Sequence, residues 1–201
     1  MNRWITLVLG CAVAGLVGCG SSKPKQTGYL SDYSRLQEVS STSSRYFAPR
    51  DTAKQYTKFI VDPVEVFAHQ EGESDPQLGE LAAYFRTKLI ETLQPDYPVV
   101  DRPGQGVARL RIAITDVKSS KWYLSLHPAS KLTGAGAGEA AMEGELVDSV
   151  TGAQIAALVE SQRGSQFELD TFSKFDDSKD VINDWCSRFR ERLDELHDKK
   201  K

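Results

Sequence analysis

The segment Val107–Val117 has the sequence VARLRIAITDV, and its pattern decides the fold class. Apolar and polar residues alternate along it, which is typical of a β-strand with one buried face and one wetter face. The apolar set is Ala108, Leu110, Ile112 and Ile114, and the polar set contains Arg109, Arg111 and Thr115. We therefore predict a strand over this segment.

Two further strands are predicted on its C-terminal side. Ala140–Val147 alternates small or apolar residues with Glu143 and Glu145. Ala153–Ser161 is again strand-like, and Asp148–Gly152 connects the two segments. A hairpin with a loop of about five residues is the simplest arrangement.

Two more strands are predicted on the N-terminal side. Phe59–Phe67 (FIVDPVEVF) is rich in β-branched residues. Pro63 has no N–H to donate to a ladder, so it marks an edge or a bulge. Tyr97–Asp101 is predicted to be a short strand that ends at the turn 102–104.

Two amphipathic helices complete the pattern. The first begins near Pro76, with Ser74 or Asp75 as its cap, and ends before Pro95. The second covers Asp176–Lys201. The apolar stripe of the first is Leu78, Leu81, Ala82, Phe85, Leu89 and Leu93; that of the second is Val181, Ile182, Trp185, Phe189, Leu193 and Leu196.

The order of elements is β-α-β-β-β-β-α, which predicts an α+β fold. We expect a two-layer mixed β-sheet of about five strands, with both helices on one face. The other face is predicted to be partly polar. It would carry Arg109, Arg111, Glu143 and Glu145.

The N-terminus has the features of an export signal. Arg3 precedes a 14-residue apolar run, Trp4–Val17. That run is too short to span a bilayer, which needs about 20 residues, but it suits the core of a signal peptide. It ends in Leu16-Val17-Gly18-Cys19, which resembles the lipobox of bacterial lipoproteins.

The lipobox resemblance implies cleavage before Cys19 and lipid attachment to the cysteine sulfur. Two or three acyl chains anchor a protein stably, since each buried methylene contributes about 0.8 kcal/mol. Gly20 stands where an aspartate would favour retention in the inner membrane. The resemblance therefore implies the outer membrane, on its periplasmic face.

Three regions follow from these patterns. Residues 1–18 are the predicted signal peptide, 19–57 the lipidated cysteine and a polar tether, and 58–201 a globular α+β domain. The tether contains the polar tract SSTSS at 40–44, which cannot form a core. Tyr29, Tyr33 and Leu36 share one face of a short predicted helix, which we expect to dock on the domain; binding to a partner is the alternative.

Composition limits the classes of function. The net charge is −3, and loss of Arg3 with the leader makes it −4, so nucleic-acid binding is not expected. Of the three cysteines, Cys11 leaves with the leader and Cys19 carries the lipid. Cys186 then has no intramolecular partner. We interpret it as a small buried hydrophobe, with a reactive or intermolecular thiol as the alternative.

No catalytic motif is present. The run Gly134–Gly138 (GAGAG) matches neither phosphate-loop pattern and predicts a flexible connection. The three histidines, His69, His127 and His197, lack the spacing of metal ligands. We therefore predict no catalytic residue, no cofactor and no metal site.

The long loop Lys118–Thr133 is the predicted binding feature. It contains Trp122, Tyr123 and Leu124, and Trp and Tyr often anchor interfaces. Two interpretations stay open. Trp122 folds back to cap an open edge of the core, or the three residues bind a partner or a glycan.

Four segments resemble a known family: YLSDYSRL at 29–36, YTKFIVDPVEVF at 56–67, LRIAITDV at 110–117 and EGELVDSVTG at 143–152. They are similar to the bacterial lipoproteins of the domain-of-unknown-function family 3313. That resemblance brings no catalytic residue with it. The order of elements is also similar, more distantly, to periplasmic lipoprotein domains like the N-terminal domain of TolB, which mostly bind other envelope proteins; fold alone does not fix function.

The sequence thus predicts a lipid-anchored, periplasm-facing envelope protein that acts as a non-enzymatic protein-binding or scaffolding module. The alternatives are an envelope hydrolase and a carrier of small hydrophobic ligands. The expected partners are the membrane, through the N-terminal lipid, and other envelope proteins. The patterns do not decide whether the chain forms a homo-oligomer.

Overall fold

The computed structural model describes residues 26–67, 76–94, 96–118, 139–163 and 174–199. These residues form one sheet with helices packed on one face. The strands are β1 (Gln37–Ser40), β2 (Ser43–Phe47), β3 (Lys58–Val61), β4 (Glu65–Val66), β5 (Val107–Lys118), β6 (Glu139–Asp148) and β7 (Gln154–Arg163). The helices are α1 (Arg50–Ala53), α2 (Pro76–Leu93) and α3 (Lys174–Leu196).

The sheet is mixed, with strand order β1-β2-β7-β6-β5-β3, and β4 also pairs with β5. The β1-β2, β2-β7, β7-β6 and β6-β5 pairs are antiparallel. Strands β3 and β4 run parallel to β5, because the chain returns to the sheet through the crossover helix α2. The predicted α+β class and the mixed sheet are confirmed.

The β6-β7 hairpin forms where the alternation predicts it. Its turn is organised by Asp148, whose carboxylate accepts hydrogen bonds from the backbone N–H groups of Val150 and Thr151 at 2.9 and 2.7 Å. These bonds hold the pKa of Asp148 below its usual value. Gly152 has a φ of +74°, which a residue with a side chain adopts only with strain.

The main core lies between the sheet and helices α2 and α3. Phe59, Phe85 and Leu89 are almost fully buried there. The ring of Phe85 stacks on that of Trp185, with centroids 5.9 Å apart. Full burial of side chains of this size stabilises a fold by about 1.5–3 kcal/mol each, so the predicted stripes of both helices face the sheet for a clear physical reason.

The strand count differs from the prediction. Phe59–Phe67 is not one strand, because the ladder stops at Val61 and resumes at Glu65, on either side of Pro63. The predicted strand Tyr97–Asp101 is reduced to a single parallel bridge between Phe59 and Val99. Within the described residues the sheet has seven strands rather than about five, and a short third helix, α1, precedes β3.

The predicted tether is wrong for much of residues 19–57. Strands β1 and β2 form a hairpin inside this range, and β2 extends the sheet by pairing with β7 from Ser43↔Glu160 to Phe47↔Ala156. The polar tract at 40–44 is typical of a tether, but a hairpin at the edge of a sheet also tolerates it, because such a hairpin needs apolar residues on only one of its two faces. The folded part therefore begins well before residue 58.

The N-terminal segment Thr27–Leu36, which we call the strap, covers the second face of the sheet. Tyr29 and Leu30 are buried there against Ala113, Ala157 and Val159. The expected docking of this segment is confirmed, but the strap is not helical. Its burial is the reason that the second face is drier than predicted.

Two sheet carboxylates lie beneath the strap. Glu143 and Glu145 are 0% and 2% exposed, although the sequence pattern places them on a partly polar face. Glu143 accepts hydrogen bonds from the backbone N–H of Thr27 at 2.6 Å and from the hydroxyl of Tyr33. Glu145 pairs with Arg111 and accepts the backbone N–H and the hydroxyl of Ser31 at 3.0 and 2.7 Å. Buried charges persist only with such partners.

Candidate functional site

An apolar groove lies between α3 and the strands β2, β7 and β6. Helices α2 and α3 pack over the β3-β5 side, and the remaining strands extend beyond them. The resulting space has a volume of about 580 Å³. Binding sites for small molecules typically have about 300–1,000 Å³, so this helix–sheet groove falls within their range.

The floor of the groove is made by one face of three adjacent strands. Pairing places Phe47, Ala156 and Leu146 in one row across the sheet, and Leu158 and Gly144 in the next. The small side chain of Ala156 is only half-buried on this floor. Phe47 is 57% exposed at the edge of this floor, an unusual exposure for a phenylalanine.

The wall of the groove is the inner side of α3. It presents Trp185, Phe189 and Leu193 toward the sheet. The indole N–H of Trp185 donates to the Glu160 carboxylate at 3.1 Å, and Arg188 binds the same carboxylate at 2.6 Å. Burial lowers the pKa of Arg188, whereas its contacts with carboxylates raise it, and the net result is a raised pKa. The Trp185 ring is thereby fixed in place.

The rim of the groove carries arginines that are paired with carboxylates and one arginine, Arg45, that is not paired with any described carboxylate. Arg50 and Arg192 are each paired with a carboxylate, that of Asp198 at 2.6 Å and that of Glu195 at 3.3 Å. Arg45 lies on β2 opposite Leu158 and lines the groove. Its guanidinium makes no hydrogen bond or ion pair with any part of the chain that the structure describes.

The buried polar side chain of the groove, Glu160, already has its partners within the protein. The Glu160 carboxylate, which is 6% exposed, is already occupied by the indole and guanidinium donors. Within residues 26–67, 76–94, 96–118, 139–163 and 174–199, no group of three His, Cys, Asp or Glu side chains is placed to hold a metal ion.

Cys186 and His197, the two reactive side chains considered above that the structure describes, both lie in packed surroundings. Cys186 is 1% exposed, and burial raises the pKa of its thiol to about 12, so it is protonated and unreactive at neutral pH. His197 binds the backbone oxygen of Tyr56 through Nε2 at 3.1 Å and packs against Tyr97. Burial lowers the pKa of His197.

The predicted site residues lie outside the described residues. This holds for Trp122, Tyr123 and Leu124 of the long loop, and for the glycine run 134–138. It also holds for the lipid-attachment residue Cys19, for the lipobox residues Leu16, Val17 and Gly18, and for His69 and His127. Their predicted roles stay predictions.

Arg45 and Phe47 belong to the groove and were missed, because they fall within the predicted tether. The aromatic pair Tyr46-Phe47 in an otherwise polar stretch was the available signal. By contrast, Trp185 and Phe189 lie on the predicted apolar stripe of the second helix, which gives their orientation but not their position beside an open space.

In the part of the chain that the structure describes, no helix combines the length and apolar character needed to span a membrane.

Fold and groove together define the class: a mixed α+β domain with one sheet, covered by helices on one face and by an N-terminal strap on the other. The chain belongs to the family described as "Protein of unknown function (DUF3313)", whose model matches residues 25–189. This confirms the resemblance carried by the four sequence segments.

Among curated proteins, the chain is similar to the "Uncharacterized lipoprotein YdcL" of Escherichia coli strain K12. The two are 26% identical over 202 aligned positions, which cover 88% of this chain and 90% of that protein.

Solved structures are more distant. The PelC dodecamer from Paraburkholderia phytofirmans is 14% identical, with a TM-score of 0.46, covering 74% of this chain and 96% of that one. Lipoprotein GNA1162 from Neisseria meningitidis is 13% identical, with a TM-score of 0.35, covering 64% of this chain and 96% of that one.

Proposed function

We propose that this protein is a lipid-anchored envelope protein on the periplasmic face of the outer membrane, and that its domain is a non-enzymatic binding module. The lipobox ending in Cys19 and the lipoprotein relatives support the anchor. The open apolar groove between α3 and the sheet is the single observation that supports binding. Of the ligands that the sequence leaves open, a small hydrophobic one fits this groove best.

An apolar ligand gains free energy in the groove because Phe47, Ala156 and Leu158 are only partly covered by the protein. Burial of apolar surface contributes roughly 25 cal/mol per Å². The fixed Trp185 ring adds a rigid wall, so little side-chain entropy is lost on binding. An exposed apolar surface of this kind is typical of a binding site rather than of a finished core.

A neutral photoreactive hexadecanol, added to membranes that contain the lipidated protein, tests the groove. We expect crosslinks on peptides that contain Leu158 and Phe189. Ala156→Trp, which fills the floor, should reduce this labelling at least about tenfold, because the indole occupies the ligand's volume. The matched control is Val150→Trp, since Val150 is 67% exposed in the hairpin loop and does not line the groove.

Equal labelling of both tryptophan variants would contradict the groove as the site. Both variants are also compared with the native protein by resistance to protease, so that unfolding is recognised. If Ala156→Trp is unfolded, Leu158→Asn makes the half-buried floor polar without adding volume and replaces it.

Binding of other envelope proteins remains the second candidate function. It rests on the residues Trp122, Tyr123 and Leu124 of the long loop, which lie outside the described residues. Affinity capture from gently crosslinked outer membranes tests it, with Trp122→Ala alongside. A partner that is lost with Trp122→Ala at unchanged stability supports scaffolding; lost stability supports a capping role for Trp122.

A further inference from the structure

We infer that the helix–sheet groove selects a single long acyl chain with a carboxylate head, that is a long-chain fatty acid, and that Arg45 binds the carboxylate. The inference rests on the proposed function and names the ligand class of the same site.

The dimensions of the groove favour one chain. Its wall runs along α3 from Trp185 to Leu196, a distance of about 16 Å at 1.5 Å per residue. Its volume of about 580 Å³ is near the middle of the range for small-molecule sites. One extended acyl chain matches this long and narrow space, whereas the two chains of a phospholipid would leave one of them outside.

The charges at the rim favour one negative charge on the ligand. Arg188, Arg50 and Arg192 already have carboxylate partners. Only Arg45, among the described arginines that line the groove, has none. A guanidinium offers two parallel N–H donors to a carboxylate, which is a strong and specific geometry.

The position of Arg45 fits the head of such a ligand. Arg45 lies on β2, and the residue opposite it on the neighbouring strand β7 is Leu158. An acyl chain over Leu158 and Ala156 would therefore bring its head to the guanidinium while the chain lies against Trp185. The carboxylates of Glu160 and Glu195 are paired with Arg188 and Arg192, so Arg45 offers the ligand head a single positive charge, which matches a carboxylate.

The experiment compares two photoreactive probes in membranes that contain the lipidated protein: a diazirine-bearing palmitate and the matching neutral hexadecanol. In the native protein we expect palmitate to label the groove peptides more strongly. Arg45→Gln should lower palmitate labelling roughly three- to tenfold, because it removes one partly exposed charge-assisted hydrogen bond. It should leave hexadecanol labelling unchanged, because that probe carries no charge. Arg102→Gln is the matched control and should change neither, since the exposed Arg102 does not line the groove.

Each contrary outcome has its own meaning. If both probes label the native groove equally, or if Arg45→Gln has no effect, the inference is wrong while the binding function stands. If neither probe labels the groove, the proposed function fails as well. Stronger competition by lysophosphatidylglycerol than by unlabelled palmitate would assign the site to a phosphate-bearing lipid. A dimer that Ala156→Trp abolishes and palmitate does not disturb would assign the groove to a second copy of the chain.

Discussion

The buried carboxylate of Glu143 shows how much a single residue can depend on its partners. In the described part of the chain its oxygens are bound by the Thr27 N–H and the Tyr33 hydroxyl, with no cation at ion-pair distance. The same hydroxyl accepts the backbone N–H groups of Gly28 and Leu30 at 2.9 and 3.1 Å. Burial and the neighbouring carboxylate raise the pKa of Tyr33, which keeps this donor protonated. One hydroxyl therefore links a carboxylate of the sheet to two backbone N–H groups of the strap.

Tyr33→Phe should lower the free energy of unfolding by about 1–3 kcal/mol, because it leaves a buried charge and two backbone donors short of a partner. Urea unfolding of the native protein and the variant measures the change. Tyr46→Phe is the control: its hydroxyl accepts a hydrogen bond from Arg35 at 2.9 Å in an exposed position, so its loss should cost under about 1 kcal/mol. Equal effects of the two changes would refute the special role of Tyr33.

Helix α3 is the element that closes the domain, and its C-terminal end is fixed by a polar cluster. Asp194 binds the hydroxyl of Tyr97 at 2.9 Å and the side chain of Arg190 at 2.9 Å. His197 packs on the Tyr97 ring, and Lys199 lies 3.9 Å above the same ring. Since Phe189 and Leu193 line the groove, this cluster also fixes the position of the groove wall.

The pH dependence of stability follows from His197. Burial lowers its pKa in the folded protein from the ordinary value of 6.5, helped by the cations Lys199, Lys54 and Arg50. A lowered folded pKa means that the unfolded chain binds the proton more readily. The stabilisation is therefore complete above about pH 6.5 and is lost as the pH falls through the folded pKa.

We expect the urea midpoint to decrease between pH 7.5 and pH 5.5, and His197→Gln to flatten this decrease even if it lowers stability at both pH values. The midpoints of the two proteins at the two pH values decide the question. An equally steep decrease in His197→Gln would show that another group titrates.

At the scale of single elements, the sequence predicts the strands and helices whose patterns depend on residues close together in the chain. The alternation in Val107–Val117 and the two apolar stripes give β5, the hairpin, α2 and α3, because each depends on residues two to four positions apart. Docking of the strap was predicted, but its non-helical path and the β1-β2 hairpin were not, since the polar residues involved have partners about 110 positions away, such as Tyr33 with Glu143. The groove was missed for the same reason: it is a gap between elements, and no single element encodes it.

The whole molecule is attached, in our proposal, at one point. Cys19→Ala should release the protein from the membrane fraction, because the predicted lipid is its anchor. Fractionation with fatty-acid labelling measures this, and a density gradient of native membranes separates inner from outer membrane. A protein that keeps both its label and its membrane location after Cys19→Ala would refute the anchor.

The strap also sets how far the domain can travel. It is fixed on the sheet from Thr27 onward, so only seven residues, 20–26, lie between it and Cys19, which makes eight Cα–Cα steps. Such a leash measures at most about 28 Å when fully stretched, at about 3.5 Å per residue. A 38-residue tether would have let the domain search a deep layer of the periplasm. In the proposed lipid-anchored form, a leash this short confines the domain to the layer next to the bilayer, where a molecule leaving the membrane meets it at a high local concentration and one dissolved far away does not.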